Sequence, residues 1–155
     1  MTGLGSAVAV SAGRGHSCAL LADGSVVCGG FNGDGQLGNG ALTTATTPVA
    51  VGGLTGPVTS VSVGNDHGCA LLKTGTVACW GKNESGQVGD GTTMDATGAT
   101  VVPGLTSVVA VSAGTSHTCA VLMGGTAVCW GDNEYGQLGD GTTTSSLVPV
   151  TVKTP

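Results

Sequence analysis

Apolar residues in this chain come in short runs broken by Gly, Ser and Thr, and no stretch sustains a helical period. The runs follow a fixed order. Ala7 to Ala12 alternates small and branched residues and leads to Gly13, and Val58 to Val63 and Val108 to Ala113 do the same before Gly64 and Gly114. Each reads as a strand, because Val and Thr fit a pleated, half-buried surface. A second strand carries His-x-Cys-Ala-(Leu/Val)-Leu, from His16, His67 and His117. Three turn residues follow: Ala22-Asp23-Gly24, Lys73-Thr74-Gly75 and Met123-Gly124-Gly125. Glycine in the last place fits the left-handed position of a type I turn with a G1 bulge. A third strand is predicted over Ser25 to Gly29, Thr76 to Gly81 and Thr126 to Gly131. A polar connection containing Gly-Gln-(Leu/Val)-Gly-(Asn/Asp)-Gly then leads to a last strand, predicted at Thr47 to Val51, Thr100 to Val102 and Val148 to Val152.

The same unit is therefore written three times, with equivalent residues 51 and then 50 positions apart, as in His16, His67 and His117. Four short strands in a unit of about 50 residues describe an all-β propeller blade. The predicted blades cover approximately 6–52, 57–103 and 107–153. The pattern of strand-Gly, Gly-x-x-His-(Ser/Thr)-Cys-Ala, Gly-(Ser/Thr)-Val-x-Cys-Trp-Gly and Asn-x-x-Gly-Gln-Leu-Gly resembles the regulator of chromosome condensation repeat family. The cysteine-bearing version is similar to repeats of bacterial surface and secreted proteins. The resemblance spans almost the whole chain and implies a β-propeller, in that family typically of seven blades, whereas this chain carries three. It also implies that His16, His67 and His117 are structural residues tying strand to loop by hydrogen bonds.

Composition narrows the function classes. Thirty glycines with 8% charged and 3% aromatic residues are unusual, yet 40% of residues are hydrophobic, so the chain is not disordered. Net charge is −5 and the cations are only Arg14, Lys73, Lys82 and Lys153. They do not cluster as phosphate contacts require, so neither nucleic acid nor an anionic membrane surface is an expected partner. No apolar run approaches the length of a spanning helix. The opening MTGLGSAVAV has neither a charged n-region nor a long h-region, so it does not read as a signal peptide.

The six cysteines form three C-x9-C pairs. If the three-residue turn holds, counting outward from Leu21 and Ser25 places Cys18 opposite Cys28, and likewise Cys69 opposite Cys79 and Cys119 opposite Cys129. Opposed antiparallel residues lie within disulfide reach. Three cross-strand disulfides and an oxidising compartment, extracellular or at the cell surface, are the expectation. The alternative is six small buried thiols in a reduced protein. A zinc set of His16, Cys18 and Cys28 would still need a fourth donor and convergent geometry.

Other candidates read as structural. Trp80 and Trp130 recur before a glycine, with Gly29 at that place in blade one, and are expected to pack between blades. Gln36, Gln87 and Gln137 are expected to bond the backbone of a compact loop. Gly-Gln-Leu-Gly-Asp-Gly lacks the Lys-Ser/Thr of a phosphate loop, and Asp132-Asn133-Glu134 fails calcium-loop spacing. No Ser/His/Asp set is apparent. No catalytic residue, metal or cofactor is expected.

Blades bury their flat sides against neighbours, so three alone leave two apolar faces open. Met1 to Ser6 and Lys153 to Pro155 are too short to cap them. A homodimer closing one six-bladed ring is the expected solution; a piece of a longer propeller is the alternative. The expected function is a non-enzymatic scaffold, self-assembling where the ring closes on a second copy, that binds a protein, peptide or glycan. Its contacts would come from ring-face loops at Leu42 to Thr47, Met94 to Thr100 and Thr142 to Ser146. The runner-up, implied by the resemblance, is guanine nucleotide exchange on a small GTPase. A hydrolase in the central channel lacks clustered ionisable groups, and an ultraviolet sensor of the plant type lacks tryptophan clusters.

Overall fold

The computed structural model describes residues 5–153. The first blade consists of β1 (Ala7–Ala12), β2 (His16–Leu21), β3 (Val26–Gly30) and β4 (Ala45–Ala50). The second consists of β5 (Val58–Val63), β6 (His67–Leu72), β7 (Val77–Gly81) and β8 (Ala96–Val101), and the third of β9 (Val108–Ala113), β10 (His117–Leu122), β11 (Ala127–Gly131) and β12 (Ser146–Thr151). Each blade is a four-stranded antiparallel meander in chain order. The chain is all-β, as three propeller blades. β5 lies against both β1 and β9, so the first strands of the blades form the inner edge of an arc.

The hairpins set the register. Gly24, at φ 85°, closes the first turn by donating its N–H to the Leu21 carbonyl, and Leu21 N–H bonds the Ser25 carbonyl. Counting inward from that bonded pair makes Cys18 and Cys28 a non-hydrogen-bonded pair, the kind whose Cα atoms come closest. They are opposed at a Cα separation of 4.1 Å and joined by a disulfide. Cys69–Cys79 and Cys119–Cys129 repeat the arrangement at 4.0 Å. None of the six is a free thiol.

The staples face the next blade. Cys18, Leu20, Val26 and Leu37 of the first blade pack on Val63, Ala70 and Trp80 of the second. Cys69, Leu71 and Val88 of the second pack on Val108, Ala120 and Trp130 of the third. Covered on both sides, the middle blade has every residue of β6 and β7 buried. The outward faces of the arc differ: Val10 on β1 is 75% exposed, and Val121 on β10 is 37% exposed where its counterparts Leu20 and Leu71 are 5% and 6%. Residues 1–4 and 154–155, which belong to the short end segments considered as caps, lie outside the described residues.

The fourth strands correct the sequence reading. They begin at Ala45, Ala96 and Ser146, two to four residues before the predicted starts at Thr47, Thr100 and Val148. A register shift beside the glycine that ends the third strand lets pairing continue to Gly30↔Ala45, Gly81↔Ala96 and Gly131↔Ser146. Alanine and threonine hid the starts of β4 and β8 from a hydropathy reading, whereas β12 opens on Ser146 and Leu147. Half of the predicted loop Leu42 to Thr47 and most of Met94 to Thr100 are therefore strand, whereas Thr142 to Ser146 remains loop up to its last residue.

Protein purified without reductant and titrated under denaturing conditions is expected to show no reactive thiol; six would remove the staples from the fold. Cys69→Ser with Cys79→Ser, which opens a ten-residue separation, should cost about 3 kcal/mol in chemical denaturation by the chain-entropy relation.

Candidate functional site

Two constructions recur at each blade: a polar seam between neighbours and an asparagine-centred loop. The seam starts from the connection that follows the third strand. In the first blade it carries Gln36 across to the second, where the indole Nε1 of the fully buried Trp80 donates to the Gln36 carbonyl at 2.9 Å. Gly38 lies flat on this ring; a Cβ there would stand 2.8 Å from Trp80 Cδ1, so only glycine permits the approach. Trp130 repeats the bond on the Gln87 carbonyl, also at 2.9 Å. On the inner strands, Val63 N–H donates to Ser11 Oγ and Ala113 N–H to Ser62 Oγ.

His67 is drawn into the second seam. Thr118 Oγ1 donates its one proton to the Gln87 carbonyl at 2.9 Å, so it accepts from His67 Nε2–H at 3.0 Å. That chain assigns the tautomer: Nδ1 carries no proton, is buried and has no partner. Burial, with His16 and His117 nearby, holds the His67 pKa down to about 3. The bond crosses from blade to blade, whereas the family resemblance implies a tie from strand to loop. In the first seam the place of Thr118 is taken by Gly68, and the buried His16 Nε2 is left without a partner. Burial also lowers the His16 pKa, against the opposing charge of Asp66.

The loop hubs are Asn32, Asn83 and Asn133, all completely buried. Asn83 Oδ1 accepts from Val88 N–H at 2.9 Å, while its Nδ2 donates to the carbonyls of Thr92 and Met94 and to Asp90 Oδ1. Asn32 and Asn133 make the equivalent bonds to Leu37 and Leu138 and to their own loops. The glutamines close the near side: Gln36, Gln87 and Gln137 accept through Oε1 from the backbone N–H of Asp34, Ser85 and Tyr135. Asn39, Asp90 and Asp140 accept the amide two residues on, from Ala41, Thr92 and Thr142. The Thr142 hydroxyl and amide hold the Asp140 carboxyl below its ordinary range.

The sequence reading carried these asparagines only as the first residue of the Asn-x-x-Gly-Gln-Leu-Gly motif, with no role assigned, and did not single out Ser11, Ser62 and Thr118. The asparagines were visible in principle, since they recur at the 51- and 50-residue spacing. The serines and Thr118 were not, because their role depends on a neighbouring sheet.

Both sulfurs of each zinc candidate are bonded to one another. Among the described residues no group of three or more His, Cys, Asp or Glu is placed to hold a metal. Where the inner strands end, an open depression of about 490 Å³ is lined by Gly13, Arg14, Gly64, Asn65, Gly114 and Thr115. The histidines sit beneath those glycines and do not line it.

Comparison with known proteins places this geometry. Two forms of the regulator of chromosome condensation (RCC1) repeat match three times each, one over 7–36, 58–87 and 108–137 and the other over 23–71, 74–121 and 125–155. The chain belongs to the RCC1 repeat family. It is 40% identical over 83 residues to the E3 ubiquitin-protein ligase MYCBP2 of Danio rerio, an alignment of 54% of this chain and 2% of that protein. Human WBSCR16 superposes with a TM-score of 0.86 at 26% identity, over 97% of this chain and 39% of its own. Prp20p of Saccharomyces cerevisiae gives 0.86 at 23% identity, over 96% and 38%, a likeness of fold alone. The chain thus spans well under half of each of these relatives.

Two outcomes follow from the seam and the hubs. An unfolded histidine titrates near 6.5, so below that pH the unfolded state binds the proton that His67 refuses until about pH 3. Stability should therefore be full above pH 6.5 and fall with acid, by about 2 kcal/mol at pH 5 from this group. Denaturation across that range should show the slope, and His67→Gln should make it shallower. Asn83→Ala removes the hub bonds and leaves the Val88 amide unpaired; about 3 kcal/mol of destabilisation is expected, with amide exchange accelerated across residues 84–95.

Proposed function

We propose that the chain is a non-enzymatic RCC1-type propeller scaffold that binds a protein, peptide or glycan through the connections between third and fourth strands. One observation carries this reading. Those connections are pinned at their centre by a buried asparagine, yet they display Phe31, Leu42, Met94 and Tyr135 as exposed large hydrophobic side chains. A rigid backbone with apolar tips is the form of a contact surface, since aromatic and apolar anchors carry most interface energy. The three disulfides suit work in an oxidising compartment, outside the cell or on its surface.

Guanine nucleotide exchange is the second reading. It is favoured by the likeness to Prp20p, whose structure was reported with its binding to Gsp1p and histones. Nucleotide release from a small GTPase, unchanged on adding this chain, would dispose of it.

The binding reading is tested by panning the oxidised chain against peptide and glycan libraries and measuring each ligand on Leu42→Ser, Met94→Ser and Tyr135→Ser variants. A ligand of these loops should lose about tenfold in affinity with at least one variant, the effect of one hot-spot side chain, while the thermal midpoint stays put. Ligands indifferent to all three would move the binding surface elsewhere.

A further inference from the structure

Each seam joins unlike faces. The giving face supplies the disulfide, a serine hydroxyl on the inner strand and the carbonyl of the loop glutamine. The receiving face supplies a backbone N–H and an indole, and in the second seam a hydroxyl as well. Ser11 and Gln36 thus meet Val63 and Trp80, and Ser62 and Gln87 meet Ala113 and Trp130.

On the third blade the giving face is present again in full. Ser112, the Cys119–Cys129 staple and Gln137 stand at the equivalent places. Cys119 is only partly buried where Cys18 and Cys69 are completely so, and Val121 is open to solvent. On the first blade the receiving face is incomplete. It offers the Ala12 amide and the Ser17 hydroxyl in the place of Thr118, but Gly29 stands where Trp80 and Trp130 stand. A second copy seated there would leave the Gln137 carbonyl without its indole donor. It would also leave a gap the size of a tryptophan ring beside Gly139, whose counterparts Gly38 and Gly89 lie against indoles. An unpaired buried carbonyl and a void both oppose association.

We infer that the open face of the third blade is a socket for a further four-stranded repeat bearing an indole at the Trp80 position, and that Gly29 excludes the first blade of a second copy from it. The face continues two interfaces already made within the chain, and the occupant is identified by the group those interfaces use. Ring closure by a second copy, expected from the sequence, is the competing occupant. The inference is independent of which ligand the loops bind.

Sedimentation of the full chain at micromolar concentration should give the mass of one chain for the wild type and a larger mass for Gly29→Trp, which supplies the missing indole. Adding Val121→Asp to Gly29→Trp should return the mass to that of one chain. A wild type that self-associates and is dispersed by Val121→Asp overturns the inference, as does a folded Gly29→Trp chain that stays single. Should that variant fail to fold, the wild-type disulfides decide. Limited reduction with mass mapping should open Cys119–Cys129 before Cys18–Cys28 and Cys69–Cys79; equal protection of all three would mean that a copy already covers the face.

Discussion

Sheets with apolar side chains on both faces are held together here by stacking, and the contact of blade on blade is the constraint from which the other features follow. A single four-stranded meander has no second layer of its own, so it can bury its apolar faces only against a partner surface. The middle blade shows the remedy, with both of its central strands buried throughout. Trp80 and Trp130 contribute most to each seam, because truncating a buried tryptophan costs about 3–5 kcal/mol. A staple closing ten residues contributes about 3 kcal/mol at most. Packing therefore matters at least as much as the covalent bond, and it links distant parts of the chain: Trp80 and Gln36 are 44 residues apart.

The polar groups in the seams give register more than energy. A net hydrogen bond contributes about 1 kcal/mol, whereas a buried group left unpaired costs more than that. The Gln87 carbonyl takes two donors, from Trp130 and Thr118, and so uses both lone pairs. The Gln36 carbonyl takes the Trp80 indole, but glycine at 68 brings no hydroxyl, and His16 goes without its bond. The two seams share one plan and differ in how completely it is satisfied. Sliding one blade past another would strand these groups, so the polar contacts select one alignment from the many that apolar packing would tolerate.

What was legible in the chain was whatever is local and periodic. The inner strands, the three-residue turns with their closing glycines and the opposition of Cys18 to Cys28 follow from alternation and counting. The fourth strands were misplaced because β4 and β8 start in alanine and threonine, and because pairing in all three blades passes through an irregularity beside Gly30, Gly81 and Gly131. Asn32, Asn83 and Asn133 were visible as the head of a repeated motif, yet their role was hidden for a different reason. An asparagine among glycines reads as a turn residue, and only the folded loop shows it fully buried with each polar atom engaged. Contacts such as Thr118 with His67 lie beyond any local reading, since they join residues 51 apart on different sheets.

The same division of labour bears on recognition. A loop that must order itself on binding loses part of its interaction energy to conformational entropy, about 0.5–1.5 kcal/mol for each side chain immobilised and more for backbone. The connections here have their backbone ordered in advance by four kinds of bond: to the buried asparagine, to the glutamine, to the turn acceptor and to the neighbouring blade through Gly40 and Gly91. Residues that make those bonds recur in every blade, with Asn39 in place of Asp90 and Asp140 as a like acceptor, while the exposed tips differ, with Leu42 in the first and Met94 in the second. The larger differences between blades thus fall on side chains that hold nothing else in place. A frame of this kind lets specificity change by substitution at the tips without a penalty in stability, which is what a scaffold needs and an assembled catalytic site does not permit.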